Sequence, residues 1–201
     1  KKKKQAKANG FGNYITAMWL TVVGGLIIVV ALFVLIAYTK LPDIASLENP
    51  KYEYASTAYD INKKELGKIF KYNRTWVTYD EIPKHTVDAL IATEDIRYLK
   101  HSGIDIRGLI RAMAYLGKKG GASTISQQLS KLFFTQRSSN IIVRIWQKMQ
   151  EWVLSTELEK RYTKQEILAM YLNKFDFLYN SHGIEAAANT YFGKTQAKLT
   201  I

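Results

Sequence analysis

Cysteine is absent from the 201 residues, so the chain holds no disulfide, no thiolate metal site and no thiol nucleophile. That absence fits an exported bacterial domain. Histidine is nearly as scarce: three occur, too scattered to form a metal triad. Two of the three prolines fall within Leu41 to Pro50, which reads as a linker. Acidic residues are short as well, 17 Asp and Glu against 29 Lys and Arg, for a net charge of +12. A basic excess suits nucleic acid, anionic lipid or a phosphorylated substrate. No Walker-type glycine loop and no RNA-recognition motif occurs, so nucleic acid is not an expected partner.

Charge is missing altogether from Ala8 to Thr39. The apolar core of that stretch, Ile15 to Tyr38, is 24 residues. As a helix it would be about 36 Å long, enough to cross a hydrocarbon layer of about 30 Å. A signal peptide would have a shorter apolar region and a small-x-small cleavage site, and Leu35 to Lys40 offers none. Lys1 to Lys4 and Lys7 precede the span. The positive-inside rule then puts residues 1–14 in the cytoplasm as a basic tail, residues 15–39 in the membrane and the rest outside.

Residues 40–82 read as linker and short extended region, with Asp60 to Gly67 as a turn between two strands. From Pro83 onward the period becomes helical. Val87, Leu90, Ile91 and Glu94 share one face of a first helix. Asp105 to Leu116 is a second, with Ile106, Leu109, Ile110 and Met113 expected inward. Thr124 to Phe134 is a third, opened by a capping box at Thr124 to Gln127. Asn140 to Lys160 is a long fourth, and Thr163 to Glu166 opens a fifth that runs to Asn173. The expected fold class is mainly α behind a single N-terminal transmembrane helix, with residues 83–201 as the functional domain.

Glu94 falls on an apolar face, where a desolvated carboxylate has a raised pKa and can serve as a general base. A helix-end Glu reaching solvent accounts for the same position. Arg144, Lys148, Glu151 and Ser155 make one polar stripe, with Lys148 a turn before Glu151. That stripe is either a second acid–base group or an ordinary solvated face. Ser123, Thr124, Gln127, Gln128 and Lys131 cluster at a helix start. Such a start beside a lysine can hold phosphate oxygens, though capping explains Ser123 and Thr124 as well. His101, near Gly103, suits a structural hydrogen bond.

Taken together, these stretches resemble the family 51 peptidoglycan glycosyltransferases, found as monofunctional enzymes and in class A penicillin-binding proteins. Glu94-Asp95 with Tyr98, His101, Gly103 and Asp105 is similar to the family's first motif, and Gly121 to Lys131 to its second, with Ala122 inserted. Lys148 to Glu151 with Leu158-Glu159 resembles the third. Glu166 to Leu168 with Tyr171 to Asn173 resembles the fourth, and Gly183 to Ala188 with Tyr191 to Lys194 the fifth. The chain departs from the family at Phe177-Leu178, where Phe-Gly is usual, and in a longer stretch from Gln136 to Val143.

The resemblance implies a lysozyme-like helical fold and polymerisation of lipid II, the lipid-linked disaccharide, into β-1,4 glycan with loss of undecaprenyl diphosphate. It implies Glu94 as general base and Glu151 at the diphosphate, acting directly or through a divalent cation, Mg or Mn. Arg111, Lys131, Lys148 and one of Arg137 or Arg144 would neutralise phosphate. Asp95, His101, Ser123, Thr124, Gln127 and Gln128 would belong to the substrate site. Implied partners are lipid II, the growing glycan chain, membrane lipids and cell-wall synthesis proteins. Two further expectations follow: the domain is cut before its last helices, and a transpeptidase domain follows Ile201 in the parent chain. A lysozyme-like hydrolase and a non-catalytic membrane-anchored scaffold are the competing readings.

Overall fold

A computed structural model describes residues 2–38, 56–62, 65–69, 75–118, 120–134 and 138–200. The linker expected at Leu41 to Pro50 and the candidate Arg137 lie outside the described residues. The chain forms two compact units, Lys1–Leu41 and Pro42–Ile201.

The first unit is one helix, α1 (Lys2–Tyr38). Within it Gly12–Ile36, 25 residues, is long and apolar enough to cross a membrane. Its length of about 37 Å exceeds the hydrocarbon thickness.

The second unit opens with an antiparallel hairpin of β1 (Ser56–Tyr59) and β2 (Glu65–Ile69), pairing Ser56 with Ile69 and Ala58 with Gly67. The expected turn is there. The Asn62 N–H donates to Asp60 Oδ1 at 2.8 Å, an Asp side chain substituting for a backbone turn bond.

All the other regular elements among the described residues are helical. A short turn at Tyr79–Glu81 precedes α2 (Lys84–Glu94). Pro83 stands at the N-cap of α2, one position earlier than expected. After a loop come α3 (Ile106–Ala114), α4 (Ile125–Phe134), α5 (Ile141–Arg161), α6 (Lys164–Lys174) and α7 (Ile184–Phe192). Thr163 and Glu166 form the expected capping box at α6, while Asn140 caps α5 through the N–H groups of Ile142 and Val143. At α4 only half of the expected box exists. Thr124 Oγ1 accepts from the Gln127 N–H, but the Gln127 amide turns away to donate to the Gly103 carbonyl.

Helix α4 is central and packs against both α5 and α6. Ile125 and Leu129 on α4, Leu154 and Leu158 on α5, and Ile167 and Leu168 on α6 are buried. Each such side chain contributes about 1.5–3 kcal/mol of burial. Asn173, near the end of α6, accepts from the Val77 N–H at 2.9 Å and donates to the Val77 carbonyl at 2.7 Å. One amide thus fastens the strand-like segment before α2 onto α6.

Helix α3 corrects an expectation. Ile106, Ile110 and Met113 are exposed, at 66%, 57% and 61%, and only Leu109 is half-buried. The inward position is Gly108, whose missing Cβ leaves room for the Asp105 carboxylate and the Arg97 guanidinium. The amphipathic period identified which residues share a face. The glycine decided which face turns inward. The helix also stops at Ala114, short of the expected Leu116, which adopts φ +50°.

The departure at Phe177-Leu178 has a visible cost. Leu178, Tyr179 and Asn180 all lie in the left-handed region, with φ of 68°, 46° and 60°. A non-glycine residue pays about 1–2 kcal/mol there. Leu178 is 66% exposed, so little packing is lost on truncation. Leu178→Gly should stabilise the domain by about 0.5–1 kcal/mol once glycine's extra unfolded-state freedom is subtracted. A thermal midpoint higher by roughly 2 °C would register this, and a lower midpoint would count against it.

Candidate functional site

The loop 95–105 carries the first group of candidates, and internal hydrogen bonds hold it. The Asp95 carboxylate is buried, accepts from the Ile125 N–H at 3.2 Å, and contacts His101 Nε2 at 3.0 Å. It therefore satisfies a donor at the start of α4. Thr124 Oγ1 donates to the Gly103 carbonyl at 2.7 Å, and Gln127 Nε2 donates to the same oxygen at 3.2 Å. Lys164 donates to the His101 carbonyl at 2.7 Å and sits 4.2 Å above the Tyr98 ring, while the Tyr98 hydroxyl donates to the Lys164 carbonyl. Burial pushes the Tyr98 hydroxyl up, so it remains a donor.

Arg97 donates to both oxygens of Asp105, with Nε at 3.0 Å from Oδ2. Burial opposes ionisation of Asp105, but the Arg97 bonds and the Gly108 N–H outweigh it and hold its carboxyl below the usual range. The group thus contributes stability above its unfolded-state value, and that contribution fades as pH falls through the folded one.

Glu94 ends α2 and points outward. Of the two readings its apolar face allowed, the structure gives the helix-end carboxylate that reaches solvent, because α2 stops there. Gln128 Nε2 donates to Glu94 Oε2 at 2.8 Å. Glu94 lines a cavity of about 380 Å³ together with Asp95, Arg111, Ser123, Thr124 and Gln128. Arg111 donates from Nη2 to the Gly121 carbonyl at 3.1 Å, which turns the guanidinium toward the glycine loop.

A larger cleft of about 1290 Å³ adjoins it. Ser123, Gln127, Gln128, Lys131, Arg144, Lys148 and Glu151 all line this cleft, with Phe175 as an aromatic wall that sequence reasoning had not marked. Ser123 and Gln128 belong to both cavities, so one continuous polar edge joins Glu94 to the cationic cleft. Glu151 is buried and accepts from Lys148 Nζ at 2.9 Å. Lys148 Nζ also donates to Ser123 Oγ at 2.9 Å. The polar stripe on α5 is therefore a cleft wall from Arg144 to Glu151. His101 lines neither cavity. It faces a separate one of about 610 Å³, with Lys100 and Arg107.

No group of three or more His, Asp or Glu side chains suited to a metal occurs among the described residues. Glu151 is a single carboxylate already paired with an ammonium, which does not make a protein cage for a divalent cation. The cleft instead offers Lys131, Arg144 and Lys148 around one acid, the charge balance that receives a polyanion.

The domain is mainly α and sets an exposed carboxylate beside a cation-lined cleft, a proton acceptor next to a site suited to phosphate. The transglycosylase family model matches residues 62–201, and the chain belongs to that family. It is 37% identical over 166 residues to penicillin-binding protein 1A of Escherichia coli K12, covering 81% of this chain and 19% of that one. It is 36% identical over 190 residues to penicillin-binding protein 1A of Aquifex aeolicus, covering 90% and 26%. Penicillin-binding protein 1A/1B of Bacillus subtilis is 39% identical over 187 residues, covering 90% and 19%. The chain thus spans from a fifth to a quarter of these relatives' length.

Proposed function

We propose that this chain polymerises lipid II into β-1,4 glycan strands at the outer face of the membrane, anchored by α1. The observation that carries the reading is the shared edge of Ser123 and Gln128, which joins an exposed carboxylate to a cleft lined by Lys131, Arg144 and Lys148. Glu94 takes the proton from the 4-hydroxyl of the acceptor N-acetylglucosamine. The freed oxygen bonds to the anomeric carbon of the chain-end N-acetylmuramic acid, and the carbon–oxygen bond to undecaprenyl diphosphate breaks. Attack from the opposite face turns α into β. The departing diphosphate carries its charge on oxygen, so the three cations favour the transition state over the bound ground state.

Glu151 holds Lys148, and through it Ser123, in place. Glu151 is the residue that would hold a divalent cation bound with the diphosphate, and such a cation would add to the neutralisation of the leaving group. The lysines before Gly12 and the uncharged span after it support an N-terminus in the cytoplasm, with residues beyond α1 outside.

Incubation of the full chain with labelled lipid II in detergent tests the reading. The expected products are long strands and free undecaprenyl diphosphate. Soluble fragments released from finished peptidoglycan, with no strands from lipid II, would replace a polymerase by a hydrolase. Intact lipid II beside retained binding to glycan would favour a scaffold.

A further inference from the structure

Three helices are linked by one line of hydrogen bonds that ends on Glu94. Tyr171 on α6 is buried, and its hydroxyl donates to Gln128 Oε1 at 2.9 Å. Gln128 on α4 donates from Nε2 to Glu94 Oε2 at 2.8 Å. A side-chain amide has one accepting end and one donating end, so fixing the first fixes the second. With the oxygen held by Tyr171, the NH2 group must face the carboxylate.

We propose that Tyr171 is a positioning residue for Glu94, acting through the Gln128 amide. The proposal rests on the base role given to Glu94 above. The relay engages Oε2 and so fixes which carboxylate oxygen faces the acceptor hydroxyl.

The chemistry of Tyr171 is consistent with this. Burial, and then the Glu94 charge, push its hydroxyl up to about 12, so it stays protonated and donating across any assay range. The other charged groups around Glu94 are Asp95, Arg97, Asp105 and Arg111. Asp95 is paired with His101, Arg97 with Asp105, and Arg111 with the Gly121 carbonyl. Packing alone would be satisfied by phenylalanine, since the Tyr171 ring lies 5.4 Å from that of Phe175. The hydroxyl serves the relay.

The test is steady-state polymerisation of lipid II by the full chain. Tyr171→Phe should lower kcat about fivefold, the worth of one hydrogen bond between neutral groups, with KM within about twofold. The thermal midpoint should stay within about 2 °C of the parent, whereas loss of packing would lower it. Gln128→Met should show the same fall in kcat at a similar KM, and adding Tyr171→Phe to it should cost nothing more. A Tyr171→Phe enzyme with unchanged kcat would overturn the relay, and so would full additivity of the two substitutions. Glu94→Gln is run beside them. If it is dead while Tyr171→Phe is normal, only the relay falls. If Glu94→Gln still polymerises, the base assignment falls and the relay with it.

Discussion

Glu94→Gln should lower the rate of lipid II polymerisation by about 10²–10⁴-fold, the range over which a positioned general base contributes. The substitution keeps the side chain's shape and length and removes its capacity to take a proton at working pH. Because Glu94 is exposed at the end of α2 and supports no buried packing, the thermal midpoint should stay within about 2 °C of the parent. Binding of lipid II should persist, since the cationic cleft is untouched. Quantifying strands by gel electrophoresis, alongside a melting curve, separates the outcomes. A variant that still makes strands within threefold of the parent would remove Glu94 from the proton transfer.

The second large effect is on stability and centres on a glycine. Gly103 sits at φ +88° with its Cα against α5: an added Cβ would lie 2.7 Å from the Ser155 carbonyl oxygen and 2.8 Å from its carbon. Both contacts are backbone of a packed helix, so no side chain can swing aside. Gly103→Ala must displace the loop or α5, and also pays for a left-handed alanine. Overpacking costs about 1–3 kcal/mol and the backbone conformation about 1–2 more. The Gly103 carbonyl is moreover the shared acceptor for Thr124 and Gln127, so displacement loosens the start of α4 as well. A loss on the order of 3 kcal/mol is expected, read as a lower urea midpoint at unchanged slope. An unchanged midpoint would mean that the loop yields freely. Ser155 is one turn beyond Glu151 on α5, so the residual activity of this variant also reports how far the cleft wall tolerates movement.

Much of this architecture was legible because its signals are local. The capping box at Thr163, the helices at α4 to α6 and the uncharged span of α1 each depend on neighbouring residues. Environment was harder to read. At Glu94 the apolar face allowed either a desolvated carboxylate or a helix-end one reaching solvent, and the end of α2 gives the second. Ile106, Ile110 and Met113 looked inward because they share a stripe, yet the buried position of α3 is Gly108. Asp95 and Thr124, marked for substrate, line the Glu94 cavity, and their polar atoms also bond within the protein. The resemblance selected Glu94, Glu151 and the cations. The link from Tyr171 to Glu94 was not visible, because its members are 43 and 34 residues apart.

One more feature concerns how the chain comes to be made. The segment before α2 is fastened by Asn173, 96 residues later, and the Glu81 carbonyl accepts from Gln196, 115 residues later. During synthesis, then, these two clasps on the segment before α2 wait until Asn173 and Gln196 have been translated. Such distant closures are slow to form. A ribosome stalled before residue 173 would release a chain whose entry segment hangs loose, a ready substrate for quality-control proteases. Nascent chains of increasing length should therefore switch from protease-sensitive to protease-resistant within the residues that complete α6 and α7.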